Sequence, residues 1–325
     1  MASQKQNPLR VIGGQIQSIL PISNPGSHKP MQDAKVIDSF ESVPAVYREF
    51  FQPYLSRGEA FPYTVITPTY DLPGGTIGEK LLSVIEHSFY VLEEQDGRLT
   101  RVCYPIDEIN SVEVIHWPSD LQVRINGATN LGRPSTSVFG CSRSTSQVFA
   151  PLFQRIRLRI VSLNEKAPSR HMERLDRWKD LDTRVIEMAR HCLMAGETVI
   201  EAILQPEIRA GLFSPERVLR RAKCPTHICI LTDKELVLIR EDPSQGKPEQ
   251  GGSICNFIPL NKIHSLAVTK EHENLLTVAI RVGNGEVFES LFDVSLEQEV
   301  HRFLEKTRER LPREKIYVRD TLGST

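Results

Sequence analysis

The chain has no stretch long and apolar enough to cross a membrane as a helix, so no transmembrane segment is expected. It also has no excess charge of either sign. Its 40 basic residues face 41 acidic ones, a formal net charge of −1. A dedicated nucleic-acid binder carries a clear basic excess, so nucleic acid is not an expected partner. Nor is there a paired cysteine framework. The six cysteines are scattered, as in a reducing cytosol, where cysteine serves as a small buried hydrophobe. The opening MASQKQNPLRVIGGQIQSILPIS lacks a charged start followed by a continuous apolar core, and does not read as a signal peptide. These absences lead to an expectation of a cytoplasmic protein. Its 325 residues, 40% of them hydrophobic, suffice for about two domains.

What the chain does contain is a repeat. Pro259–Val268 (PLNKIHSLAV) echoes Pro105–Val114 (PIDEINSVEV) at an offset of 259 − 105 = 154. Leu193-Met-Ala-Gly196-Glu197 likewise echoes Leu55-Ser-Arg-Gly58-Glu59, at 193 − 55 = 138. Self-similarity of this kind implies one unit built twice. The growing offset places insertions in the second copy, at about 207–225 and in the turn 242–253 (DPSQGKPEQGGS).

Each copy opens with an amphipathic helix. The first carries Val43, Val46, Tyr47, Phe50, Phe51 and Tyr54, with Pro53 to kink or end it; the second carries Leu181, Val185, Met188, Ala189 and Cys192. Gly58 and Gly196 then act as stops. Seven short strands follow in each copy, near 61–68, 80–86, 88–94, 99–105, 109–117, 121–126 and 136–140, and near 198–204, 226–232, 235–241, 254–260, 263–270, 275–282 and 286–292. Short strands joined by tight turns predict an antiparallel sandwich or barrel. A closing helix ends each copy. Ser144 with Gln147, and Ser295 with Gln298, match the capping box. The expected division is a flexible lead-in over 1–38, a first domain over 39–161, a linker over 162–171, a second domain over 172–312 and a tail over 313–325.

Seven strands and a C-terminal helix resemble the pleckstrin-homology-like (PH-like) fold. The second copy is most similar to bacterial members, through Leu193-x-x-Gly196-Glu197, Ile230-Leu-Thr-Asp-Lys-Glu-Leu236 and Ile258-Pro-Leu-x-x-Ile263-x-Ser265. The first looks like a diverged sibling, with Tyr104-Pro-Ile-x-x-Ile109-x-Ser111. The resemblance implies an α+β, mainly β, fold of two tandem seven-stranded PH-like barrels or sandwiches, each with a capping helix. It carries over no activity, because function sits in particular sites. The repeated Pro-[Ile/Leu]-x-x-Ile-x-Ser reads as a corner and core element.

The candidate chemistry is thin. Gly74-Gly-Thr-Ile-Gly-Glu-Lys80 lacks the Gly-Lys-Ser/Thr of a phosphate loop and reads as a strand connection. Cys224, His227 and Cys229 have no second ligand pair at zinc spacing. Cys141 and Ser142 follow Gly140 without completing a nucleophile elbow. No catalytic, metal or cofactor site is therefore expected. Arg155, Arg157, Arg159, Arg170, Arg174 and Arg177 read as bases that offset helix carbonyls and meet acids such as Asp176 and Asp180; Trp178 is the one exposed aromatic expected among them. Arg209, Arg217, Arg220, Arg221 and Lys223 cluster in the first insertion, where many PH domains hold anionic headgroups.

The expected function is a non-catalytic cytosolic binding or scaffolding protein with a protein or peptide partner. The expected surfaces are a free strand edge, the groove beside a C-terminal helix, or a composite surface between the two copies. A peripheral binder of anionic membranes through 209–223 is the first alternative and an unrecognised enzyme the second.

Overall fold

The computed structural model describes residues 31–72, 75–161, 172–209, 222–242, 252–271, 274–283 and 285–311. Among them the fold is α+β and mainly β. The first copy runs β1 (Lys35–Ile37), α1 (Ala45–Leu55), β2 (Thr64–Thr67), β3 (Tyr70–Leu72), β4 (Gly75–Ile77), β5 (Lys80–Ile85), β6 (Ser88–Gln95), β7 (Arg98–Pro105), β8 (Ile109–His116), β9 (Asp120–Ala128), β10 (Pro134–Ser142) and α2 (Ala150–Val161). The second runs α3 (Glu173–Asp176), α4 (Thr183–Cys192), β11 (Val199–Gln205), β12 (Ile208–Arg209), β13 (Ala222–Cys224), β14 (His227–Thr232), β15 (Glu235–Asp242), β16 (Gly252–Pro259), β17 (Ile263–Glu271), β18 (Leu275–Val282), β19 (Glu286–Asp293) and α5 (Glu297–Arg308).

The sheets are open. One has the order β1-β2-β5-β6-β7 and another β17-β18-β19. Between them lies a seven-stranded sheet, β10-β9-β8-β16-β15-β14-β11, to which both copies contribute. The join is antiparallel pairing of β16 with β8, with Cys255 opposite Val114 and Phe257 opposite Val112. Each copy thus supplies four strands to one sheet and three to another. β1 adds a fifth strand through Lys35–Ile37, residues that the sequence places in the lead-in. Each copy also makes a short ladder between its first and second long strands, β3 with β4 and β12 with β13. The Gly75–Ile77 part of the apparent phosphate loop is therefore strand rather than connection.

The repeated block is a corner in both copies. Pro105 and Pro259 end β7 and β16 with φ −54° and −59°; a 3-10 turn follows, and Ile109 and Ile263 open the next strand with nearly identical dihedrals. A register shift falls at Ile109/Ser111 and again at Ile263/Ser265. Ile106, Leu260, Ile109 and Ile263 are buried. Local residue choice and global turn agree twice, as expected of a corner that the fold requires. Asp96 and Gly97, with φ +53° and +74°, make the primed hairpin turn that Asp-Gly favours.

The helices depart from expectation at their starts. In place of a capping box at Ser144, a 3-10 helix over Arg143–Phe149 precedes α2, and its cap is Ser142, which accepts from the Ser144 amide. Asp293 does the same for Ser295 ahead of α5. The extra 3-10 turn moves the free amides two residues upstream, so the caps move with them. α5 ends at Arg308, and Pro312, the expected stop, lies outside the described residues.

α1 lays Tyr47, Phe50 and Phe51 over the outer face of the first sheet, against Leu81, Ile85 and Leu92. α4 places Val185, Ile186 and Ala189 over the corresponding face of the second copy, against Ile228, Ile230, Val237 and Ile239. That cluster is continuous with the core of the first copy around Phe89, Phe139, Phe149 and Ile156. Among the described residues no helix is long and apolar enough to cross a membrane.

Candidate functional site

A concavity of about 1300 Å³ lies where the two copies meet. One wall is α2, through Ala150, Phe153, Gln154, Arg157 and Leu158; the other is α4, through Arg184, Glu187, Met188, His191 and Cys192. Both sets follow the spacing i, i+3, i+4, i+7, i+8, one continuous helix face. Alternate residues of the joined strands form the floor: Val112, Val114 and His116 from β8, Ser253 and Phe257 from β16. Val112, Val114 and Phe257 are buried, Phe153 and Met188 half-buried, and Gln154, Glu187 and His191 exposed. An apolar trough with a polar rim results. The rim carries both signs, Arg143 and Arg184 with Asp182, Glu187 and Glu241, and Arg184 lies 3.8 Å from Glu241.

A buried charge cluster ties the walls to the floor. Arg157 pairs with Glu235, lies 3.9 Å from Glu197, and donates from Nη1 to the Cys192 carbonyl at 2.9 Å. Its guanidinium also sits 3.9 Å from the centre of the Phe257 ring, an arrangement that favours a cation. Burial works against the Arg157 charge, but Glu235 and Glu197 outweigh it and raise its pKa. Glu197 takes the opposite course. Burial, then the neighbouring Glu235, push its carboxyl up to about 9, with Arg157 acting against them. At neutral pH the Glu197 carboxyl is therefore held protonated beside the Arg157 guanidinium. Elsewhere across the join, Glu286 accepts from Ser111 Oγ at 2.9 Å and Asn126 Nδ2 at 2.8 Å.

Of the basic stretch across the linker, Arg157 meets a helix carbonyl, that of Cys192 at the end of α4, whereas the side chains of Arg159 and Arg170 lie outside the described residues. Arg157 is buried in that cluster, Arg174 donates to the Ile200 carbonyl, and Arg177 donates to the Ala202 carbonyl. Asp176 meets Arg190. Trp178 is buried under the Arg177 guanidinium, 3.8 Å from its ring centre, not exposed. Arg155 lies 5.4 Å over the Tyr63 ring.

The other singled-out residues sit in cores. Burial pushes the Cys141 thiol up to about 11. His227 is buried edge-on to Phe292 at 4.9 Å, and burial lowers its pKa to about 4. Cys224 and Cys229, raised by burial to about 11 and 12, lie beside His227 and Ser290. Of the insertion cluster, Arg209 falls on β12 opposite Ala222, and Lys223 is the middle residue of β13, at the register shift of the short ladder. Arg217, Arg220 and Arg221 lie outside the described residues. Sequence reasoning named a groove beside a closing helix and a surface between the copies as candidates, without assigning these lining residues to either. The one legible signal of this groove was the shared helical spacing in α2 and α4, which also serves core packing.

No protein-family model matches the chain, and no curated protein matches it significantly.

Proposed function

We propose that the chain is a non-catalytic binding protein of two tandem PH-like modules that seats an amphipathic helical segment of a partner protein in the groove between them. The PH-like reading is supported by the four-plus-three strand arrangement and closing helix found in each copy. The binding reading rests on one observation: helix faces from different modules line a single apolar trough with a rim of mixed charge. α2 and α4 have 12 and 10 residues, roughly 18 and 15 Å at 1.5 Å per residue, which matches about three turns of a bound helix. Burial of an apolar stripe supplies affinity, and the rim selects register.

The test is selection of helical peptides from a displayed library on the full chain, followed by Met188→Glu. This change puts a charge into one apolar wall at a half-buried position. The expected result is peptides with apolar residues at helical spacing and a loss of affinity of at least about tenfold in the variant. Glu305→Ala, at an exposed position on α5 outside the groove, should bind as the wild type does. Equal binding by wild type and Met188→Glu rejects the groove as the site.

A further inference from the structure

The groove wall and the central strand beneath it meet at two thiols. Cys192 is the last residue of α4 and lines the groove half-buried; Cys255 is fully buried on β16, opposite Val114 of the first module. Their sulfurs are 3.4 Å apart across 63 residues of sequence. Both cysteines are free. A disulfide needs S–S near 2.05 Å, so the sulfurs have only about 1.4 Å to close. Arg157 bonds the Cys192 carbonyl, which brings a fixed positive charge to the pair.

We propose that Cys192 and Cys255 form a redox-responsive pair that closes to an intramolecular disulfide under peroxide and reopens with a dithiol. Cys192 reacts first, because it faces the groove while Cys255 does not. Its thiolate attacks one oxygen of hydrogen peroxide. The O–O bond breaks, the departing hydroxide takes a proton as water, and Cys192 becomes a sulfenic acid. The Cys255 sulfur then attacks the Cys192 sulfur, the S–O bond breaks, and the leaving hydroxide takes the Cys255 proton as a second water. The balance is two thiols and one peroxide to one disulfide and two waters. A dithiol reductant reverses it by exchange and leaves as its own disulfide. Cys192 lies lower in pKa than an ordinary thiol, through its hydrogen bond to Cys255 and, less strongly, Arg157; this supports the order of attack. The product staples α4 to β16. That the staple also tunes peptide binding rests on the groove reading, whereas the disulfide itself does not.

The experiment exposes the native full chain to hydrogen peroxide, blocks remaining thiols with an alkylating agent under denaturing conditions, and maps the peptides by mass. The expected result is one cross-linked pair joining Cys192 and Cys255, a chain two hydrogen masses lighter before alkylation, and full reversal by dithiothreitol. In Cys255→Ser, which lacks the resolving thiol, dimedone should label Cys192 as sulfenic acid. Retention of all six thiols, or a cross-link that omits either residue, overturns the proposal. Because the readout needs no ligand, failure of peptide binding leaves the result interpretable.

Discussion

At the scale of the residue, Arg157 and Glu197 carry the sharpest consequence. Removing one partner of a buried ion cluster leaves uncompensated charge, which typically costs about 3–5 kcal/mol. Arg157→Met is therefore expected to destabilise the chain by that order, read from urea unfolding. Glu197→Gln should cost much less at neutral pH, since the folded state already holds that carboxyl protonated. The pH dependence has a definite sign. The folded pKa of about 9 stands above the ordinary 4.5, so between those values the folded chain keeps a proton that the unfolded chain has lost. Glu197 thus supports the fold fully below about pH 4.5, and this support drains away as pH rises towards about 9. Wild type should lose stability across that window more steeply than Glu197→Gln; parallel curves would show that Glu197 is ionised in the fold. None of this was legible from residue types. Glu197 and Glu59 occupy the same place in the Gly-Glu repeat, yet Glu59 lies in a weak surface pair with Arg57 while Glu197 is fully buried. The repeat preserved a turn glycine at positive φ, Gly58 and Gly196, but Gly196 stands four residues past the end of α4, beyond an extended Leu193, and is not its stop; burial gave the following glutamates different roles.

At the scale of the element, the strands and the corner were readable because their signals are local. Tight turns bound the runs, alternation fixes the faces, and Pro with two buried apolar residues marks the bend. The observed β8 and β17, Ile109–His116 and Ile263–Glu271, match the expected strands within a residue. The helix starts were misread because Ser-x-x-Gln fits a capping box whether or not the helix begins there. The structure moves the cap two residues upstream to Ser142 and Asp293, equivalent positions at 293 − 142 = 151 and 295 − 144 = 151. Removing a cap costs about 0.5–2 kcal/mol in an α-helix. Asp293→Ala should fall at the low end, because the turn it caps is a short 3-10 segment of three residues, with the capped Ser295 exposed. Ser295→Ala should fall below it, since Ser295 supplies only its amide, which alanine retains. Thermal unfolding of the two variants checks the order; the reverse order would restore the capping box.

At the scale of the whole molecule, the two modules are one body because a backbone ladder crosses from one to the other. That ladder has no side-chain motif, so the repeat predicted two units but not their union. One trace was present. β16 reads Gly-Ser-Ile-Cys-Asn-Phe-Ile-Pro and is buried along its whole length, whereas its counterpart β7 begins Arg-Leu-Thr-Arg and is exposed over those four residues. A strand buried on both faces loses the alternation that an edge strand keeps. The union has a thermodynamic consequence. Unfolding the second module alone would strip β16 from β8 and expose the apolar cluster that runs from Phe139 and Ile156 through Val185 to Ile230. Neither half can open without breaking the core of the other, so one cooperative transition is expected. The two tryptophans report on it separately. Trp117 follows β8 and donates to Asp242 at 3.4 Å; Trp178 follows α3 and is buried beneath Arg177. In Trp117→Phe and Trp178→Phe, the remaining indole should give the same urea midpoint once corrected for the change that each substitution makes to circular-dichroism midpoints. Two separated fluorescence transitions, one per tryptophan, would mean that the ladder between β8 and β16 holds the modules side by side without making them fold as one.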